Sequence, residues 1–179
     1  MTIPVAALAL LTLALVAGES RAQGQAQKKL PQAVQKELAE MLKTCRDAGG
    51  KPMKSPELLV VAELTGDGLP DFVINQGAFN CEGAASLYSG SGGSQMSVYV
   101  GTPDGQAQQA FSTGSFDVKV DKTARPATLQ VVVGGALCGQ RITASMPRSA
   151  YKSCWRPVQW NAKARKMDFA PVSQVKFIQ

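Results

Sequence analysis

The sequence predicts an α+β domain in which one N-terminal amphipathic helix packs on a mostly antiparallel sheet, stabilised by disulfides. Three observations carry that reading. Val34, Leu38, Leu42 and Cys45 recur every three or four residues, the spacing of one helix face. Downstream, short runs rich in Val, Ile, Phe and Tyr alternate with clusters of Gly, Pro, Asn, Asp and Ser, the pattern of strands and turns. The chain has four cysteines and no histidine. That composition suits disulfides, and it excludes a Ser-His-Asp triad, a Cys-His pair and histidine-ligated zinc or haem.

The first element is a leader. Residues 4–17, PVAALALLTLALVA, form an uncharged apolar run of 14, shorter than the roughly 20 that span a membrane. Small residues follow at Ser20 and Ala22, so cleavage is expected after Ala22, with Ala26 as a second option; the opening MTIP lacks the usual Lys or Arg. The expected organisation is a signal peptide over 1–22, a flexible lead-in over 23–30 and a single domain over 31–179. The protein is expected in the periplasm or secreted, with no transmembrane segment in the mature chain.

The helix is expected over 31–46. Pro31 suits its first turn, where the missing N–H removes no bond, and Gly49 with Gly50 stop it. Residues 57–64 contain LLVVA, read as a buried strand. A turn over 65–70 leads to a second strand, DFVIN, at 71–75. The stretch 76–94 is rich in Gly and Ser and predicts tight turns around a short strand at 85–88. Residues 95–100 alternate polar and apolar, as a half-exposed strand does. Strands at 116–120 and 128–133 flank a turn near Pro126, and 140–143 could lead out of a cysteine loop. Segments 154–158, 159–161 and 166–169 read as a closing hairpin, and the final VKFIQ is ambiguous.

Cys45, Cys81, Cys138 and Cys154 admit three pairings. The pairs Cys45–Cys81 and Cys138–Cys154 are favoured because each closes a local unit, contributing roughly 2–4 kcal/mol apiece. Spacings of 36, 57 and 16 residues include no C-x-x-C pair, which argues against a four-thiolate metal site.

The net charge of +6 is unevenly laid out. Between residues 55 and 118 there is no Lys or Arg, but seven acids: Glu57, Glu63, Asp67, Asp71, Glu82, Asp104 and Asp117. The rest of the chain carries +13. A basic pole of that size steers anions. Its bases come from 28–54, around the helix, and from 148–166. In the latter, Tyr151, Trp155 and Trp160 interleave with Lys152, Arg156, Lys163, Arg165 and Lys166, a candidate binding face with cation–π character. The same residues also fit a hairpin with one buried and one solvated side. The expected partner is an envelope protein, an anionic glycan or a lipid surface, and not a nucleic acid.

The sharpest local motif is E-L-T-G-D-G-L-P-D at 63–71. Glu63, Thr65, Asp67 and Asp71 place side-chain oxygens at relative positions 1, 3, 5 and 9, with a glycine at 6, and the Leu69 carbonyl could serve at 7. A calcium ion collects six or more oxygens in this manner. A Thr-Gly-Asp-Gly turn between two strands explains the same residues without an ion. The spacing resembles EF-hand-like calcium loops, and especially the D-x-[DN]-x-D-G-x-x-D loops of FG-GAP and dockerin-type repeats. The strand-like flanks fit the first of these better. The resemblance implies a bound Ca2+ that pins the strand junction. Glu63 and Thr65 depart from the pattern, and Ile74 stands where an EF-hand has its bidentate Glu.

The wider segment 63–93 resembles a group of small exported bacterial proteins with a G-x-F-x-C-x-G-A-A motif, matched by Gly77, Phe79, Cys81, Gly83, Ala84 and Ala85. The resemblance implies a periplasmic setting and no particular activity. Catalytic patterns are weak. Ser149 and Lys152 have S-x-x-K spacing without its companion motifs. Asp67 with Asp71, or Glu82 with Asp104, could pair as glycosidase acids. The reading favoured is a non-catalytic binding or structural protein of the envelope. The alternatives are a calcium-stabilised binding module and a carboxylate-based envelope hydrolase.

Overall fold

The computed structural model describes residues 29–178. The expected signal peptide and most of the lead-in lie outside them. Helix α1 spans Gln32–Asp47. Pro31 stands just ahead of it, at the N-cap, and its carbonyl accepts the Gln35 N–H at 3.0 Å. Val34, Met41 and Cys45 are buried, with Leu38 and Leu42 packed beside them, so the predicted face is the docked face. Its outer surface carries Lys36–Glu40 and Lys43–Asp47 ion pairs. Three bases and three acids leave α1 itself neutral, so the basic pole does not lie on the helix.

The strands follow as β1 (Lys51–Pro52), β2 (Leu59–Ala62), β3 (Asp71–Asn75), β4 (Cys81–Glu82), β5 (Ser94–Gly101) and β6 (Ala107–Ser115). Then come β7 (Asp117–Asp121), β8 (Thr128–Gly134), β9 (Ser153–Asn161), β10 (Lys166–Phe169) and β11 (Lys176–Phe177). A four-stranded antiparallel sheet has the order β2-β3-β5-β6. A five-stranded sheet has the order β10-β9-β8-β7, with β11 also on β9. The short β1 and β4 pair with each other.

Two buried clusters show how the layers stack. Phe72, Ile74, Tyr99 and Ala107 of the four-stranded sheet meet α1. Val73, Met96 and Val98, on the opposite face, meet Leu129, Val131, Val133, Val158 and Met167 of the five-stranded sheet. The order is helix, sheet, sheet. This corrects the single-sheet expectation: the described residues are richer in sheet than predicted. It also explains why β5 is buried from Met96 to Gly101 instead of half exposed, since both its faces are covered.

Other departures have local causes. The run LLVVA predicts a buried strand, but β2 is an edge strand and Val61 is 41% exposed. No strand forms at 85–88; turns occupy it, and Phe79 packs edge-on against Tyr88 with ring centroids 5.4 Å apart. The nine-residue β6 was not predicted at all. Between β5 and β6 the register slips: Val98 faces Phe111 and Tyr99 faces Gln109, leaving Ala110 as a bulge.

Both favoured disulfides are present, Cys45–Cys81 and Cys138–Cys154. The first ties α1 to β4, and the second ties a one-turn 3₁₀ helix, Gly135–Cys138, to β9. Gly50 makes the first possible, because a Cβ there would lie 2.3 Å from the Cys81 Sγ.

Candidate functional site

The loop at 63–71 is a turn whose acids bond its own backbone. Asp71 is fully buried, and its two oxygens accept the N–H groups of Leu64 at 2.7 Å and Gly101 at 2.9 Å. Burial pushes the Asp71 carboxyl above its usual range; the two N–H bonds oppose this, and nearby Asp67 and Glu63 add to it. Glu63 Oε1 accepts from the Thr65 N–H at 3.0 Å, the Thr65 hydroxyl and the Gly66 N–H. Asp67 Oδ1 accepts the Leu69 N–H at 2.8 Å. Gly66 and Gly68 take φ of 84° and 80°, as the turn requires. Among the described residues, no three acidic or thiol side chains are grouped to share an ion. Each of the three acids thus caps backbone N–H groups, the arrangement of a self-capped turn.

The C-terminal residues do not form one face. Tyr151 and Lys152 precede β9, whereas Lys163, Arg165 and Lys166 lie at the turn beyond its far end. The nine residues of β9 separate the two groups by about 30 Å. Along β9 the side chains alternate. Cys154 and Val158 point into the core, which puts Arg156 and Trp160 on the inner side and Trp155 on the outer one. Arg156 is structural. Its guanidinium donates to the carbonyls of Ala170 (3.1 and 3.0 Å) and Leu137 (2.6 Å) and sits 4.6 Å from the Phe169 ring centroid. Lys152 Nζ lies 5.9 Å from the Phe177 centroid.

What the structure does bring together is Asp67, Trp160 and Arg165. They line one cleft of about 320 Å³, where three turns meet: the 63–71 loop, the β5–β6 connection and the β9–β10 hairpin. Thr102 and Gln108 add a hydroxyl and an amide, and Pro103, Ala110 and Ala162 supply apolar wall; the Gln109 amide instead donates to Ser97 Oγ at 3.4 Å. Among the described residues the ion pairs are the two on α1, so the Arg165 guanidinium has no carboxylate partner. Arg165 also holds φ at 51°, a left-handed conformation uncommon for a residue with a Cβ. In the hairpin, Asn161 Oδ1 accepts the Ala164 N–H at 3.0 Å and fixes the turn that presents it.

The sequence pointed to Asp67, Trp160 and Arg165 separately, as members of two different sets. Gln108 and Gln109 were missed with β6. The available signal is the run QAQQAFST at 106–113, with three glutamines, one serine and one threonine. The cleft offers a planar cation, an aromatic ring, an amide and one carboxylate. That suits a small polar ligand bearing an anionic group.

The paired-carboxylate readings find little support. A general acid needs a raised pKa and access to substrate. Asp71 is raised but sealed. Asp104 is exposed, and hydrogen bonds from Thr102 and the Gln106 N–H hold its carboxyl below the usual range. Compared with family models, with curated proteins and with solved structures, the chain finds no match.

Proposed function

We propose that the protein is a non-catalytic binding module of an oxidising compartment outside the cytoplasm, and that its cleft holds a carboxylate-bearing unit of an anionic envelope glycan. The observation that carries this reading is the unpaired Arg165 guanidinium in one cleft with Trp160 and the amide of Gln108. A guanidinium matches a carboxylate in a two-bond fork. An indole offers an apolar face to a sugar ring, and amides and hydroxyls satisfy ring hydroxyls. Asp67, which lines the same cleft, accepts hydroxyl hydrogens and repels a carboxylate placed beside it. The compartment rests on the disulfides, which use all four cysteines, and on the apolar leader expected at 4–17. A broad lipid or protein-docking face is less well supported, because the basic residues lie at opposite ends of β9.

The test is a calorimetric or NMR titration with glucuronate. Saturable binding is expected. Trp160→Ala and Arg165→Ala should weaken it by about tenfold or more, equivalent to about 1.4 kcal/mol, and salt should weaken it further. Arg165→Gly separates binding from folding: it relaxes the left-handed backbone, so stability holds or rises by up to about 1 kcal/mol while binding is lost. Unchanged glucuronate affinity in Arg165→Gly would sink the proposal.

A further inference from the structure

We infer that the end of the five-stranded sheet where β9 begins is a docking patch for an anionic lipid bilayer, separate from the cleft at the other end of that strand. Nine large apolar side chains stay exposed among the described residues, and five of them gather here: Leu137, Tyr151, Val172, Phe177 and Ile178. Single exposed apolar residues are ordinary, but a cluster marks an interaction surface. Local contacts bring the five together. A Cβ at Gly135 would lie 3.0 Å from the Tyr151 ring, and one at Gly139 would lie 3.4 Å from the Val172 Cβ. Leu137 stands between those two glycines, on the 3₁₀ turn Gly135–Cys138. Phe177 pairs with Cys154, whose disulfide partner is Cys138, and the Ile178 N–H donates to the Ser153 carbonyl at 3.0 Å.

The charge around the patch has one sign. Arg141, Arg148, Lys152 and Lys176 are exposed and make no ion pair among the described residues. Residues 135–156 and 170–178 contain no acid. Phe116, which shares a small cavity with Glu57 and Asp117, marks where the acidic stretch begins. Lys152 Nζ lies 5.9 Å from the Phe177 centroid, so cations and apolar surface are interleaved. An anionic bilayer matches both, because cations meet its headgroups while apolar side chains enter the boundary beneath them. The patch is also held in shape beforehand. The Cys138–Cys154 disulfide and the bond from the Gly135 N–H to the Lys152 carbonyl (3.0 Å) tie its two loops together. The Gln140 side chain adds bonds to the Ala150 carbonyl (2.9 Å) and the Lys152 N–H (2.8 Å). Docking therefore costs little ordering. Only the bases at this end of β9 take part, so the patch is compact and does not need the basic residues at the two ends to converge.

The test is co-sedimentation with lipid vesicles, using the disulfide-intact protein after leader cleavage, with intact mass confirming its N-terminus. Vesicles of equal parts phosphatidylglycerol and phosphatidylcholine should bind it about tenfold more tightly than phosphatidylcholine alone, and salt should weaken the binding. Lys152→Gln with Lys176→Gln should lower the partition about tenfold. Lys163→Gln with Lys166→Gln, the same charge change at the other end of β9, should leave it within about twofold. Leu137→Ser with Phe177→Ser should lower it about tenfold at constant charge, and Val172→Ser with Ile178→Ser is an independent apolar pair should the first fail to fold. Equal losses from the two lysine pairs, or apolar pairs that bind like the parent, would reveal diffuse charge attraction and overturn the patch. Failure to bind the mixed vesicles overturns it outright. Self-association in lipid-free buffer that Leu137→Ser with Phe177→Ser abolishes would then assign the surface to a second copy of the chain.

Discussion

Gly50 and Asp71 each serve a purpose their neighbours in sequence do not disclose. A methyl at position 50 would press on the Cys81 Sγ and come within 3.1 Å of the Cys45 and Glu82 carbonyls. Gly50→Ala should therefore lower stability by roughly 1–3 kcal/mol, as overpacking does. In a Cys45→Ala, Cys81→Ala background the penalty should shrink, and a double-mutant cycle read by thermal melting measures the difference. A full penalty without the disulfide would assign the strain to the carbonyls instead. Asp71 bridges the start of its own turn to the end of β5 through two N–H donors. Asn can accept only one of them and turns a donor toward the other. Asp71→Asn should then cost about 1–3 kcal/mol, equally in EGTA and in millimolar calcium. A calcium-dependent melting shift in the parent protein would restore the ion to this loop.

At the level of elements, legibility followed how plainly the apolar residues are spaced and bounded. Helix α1 could be read because its apolar residues lie on a single face, and β3 because five residues with three large apolar side chains sit between obvious turns. The alternation of β5 is real, but Tyr99 packs with α1, Met96 and Val98 pack against the second sheet and Ser97 is buried too, so within 95–100 Gln95 alone is exposed. Strand β6 was invisible for a related reason. Gln108, Gln109 and Ser112 are exposed, Thr113 is half-buried and Ser115 is buried, so no apolar period marks it. The bond from Tyr99 on β5 to Glu37 on α1 joins two such elements. Burial, the hydrogen bond to Glu37, and the charges of Glu37 and Glu40 push the Tyr99 hydroxyl well above its usual range. The folded state holds that proton more tightly than the unfolded one does. The stabilisation is therefore complete below about pH 10, the unfolded value, and is lost as pH rises beyond it. Tyr99→Phe should cost roughly 1.5–3 kcal/mol at neutral pH. It should also flatten the alkaline fall in melting temperature, and an unchanged alkaline slope would refute the assignment.

Across the whole molecule, the charge segments of the sequence become layers. The four-stranded sheet lies inside the stretch that has acids and no bases, while the five-stranded sheet draws on the strongly basic second part of the chain. The cleft opens where the two meet, with Asp67 from one and Arg165 from the other. The sequence displayed the asymmetry, and even named these residues. Which turns converge was hidden, because it depends on how two sheets stack. The disulfides respect the same division. One lies wholly in the first half of the described chain and the other wholly in the second, and each joins cysteines that are consecutive in sequence. A chain that meets oxidant from its N-terminus onward can thus close each bridge as soon as the second thiol emerges, before any wrong partner exists. Maturation of this protein should depend on a thiol oxidase and not on a disulfide isomerase. Vectorial oxidation should yield the native pairs directly, and peptide mapping of material made without an isomerase would expose scrambled bridges if that order did not suffice.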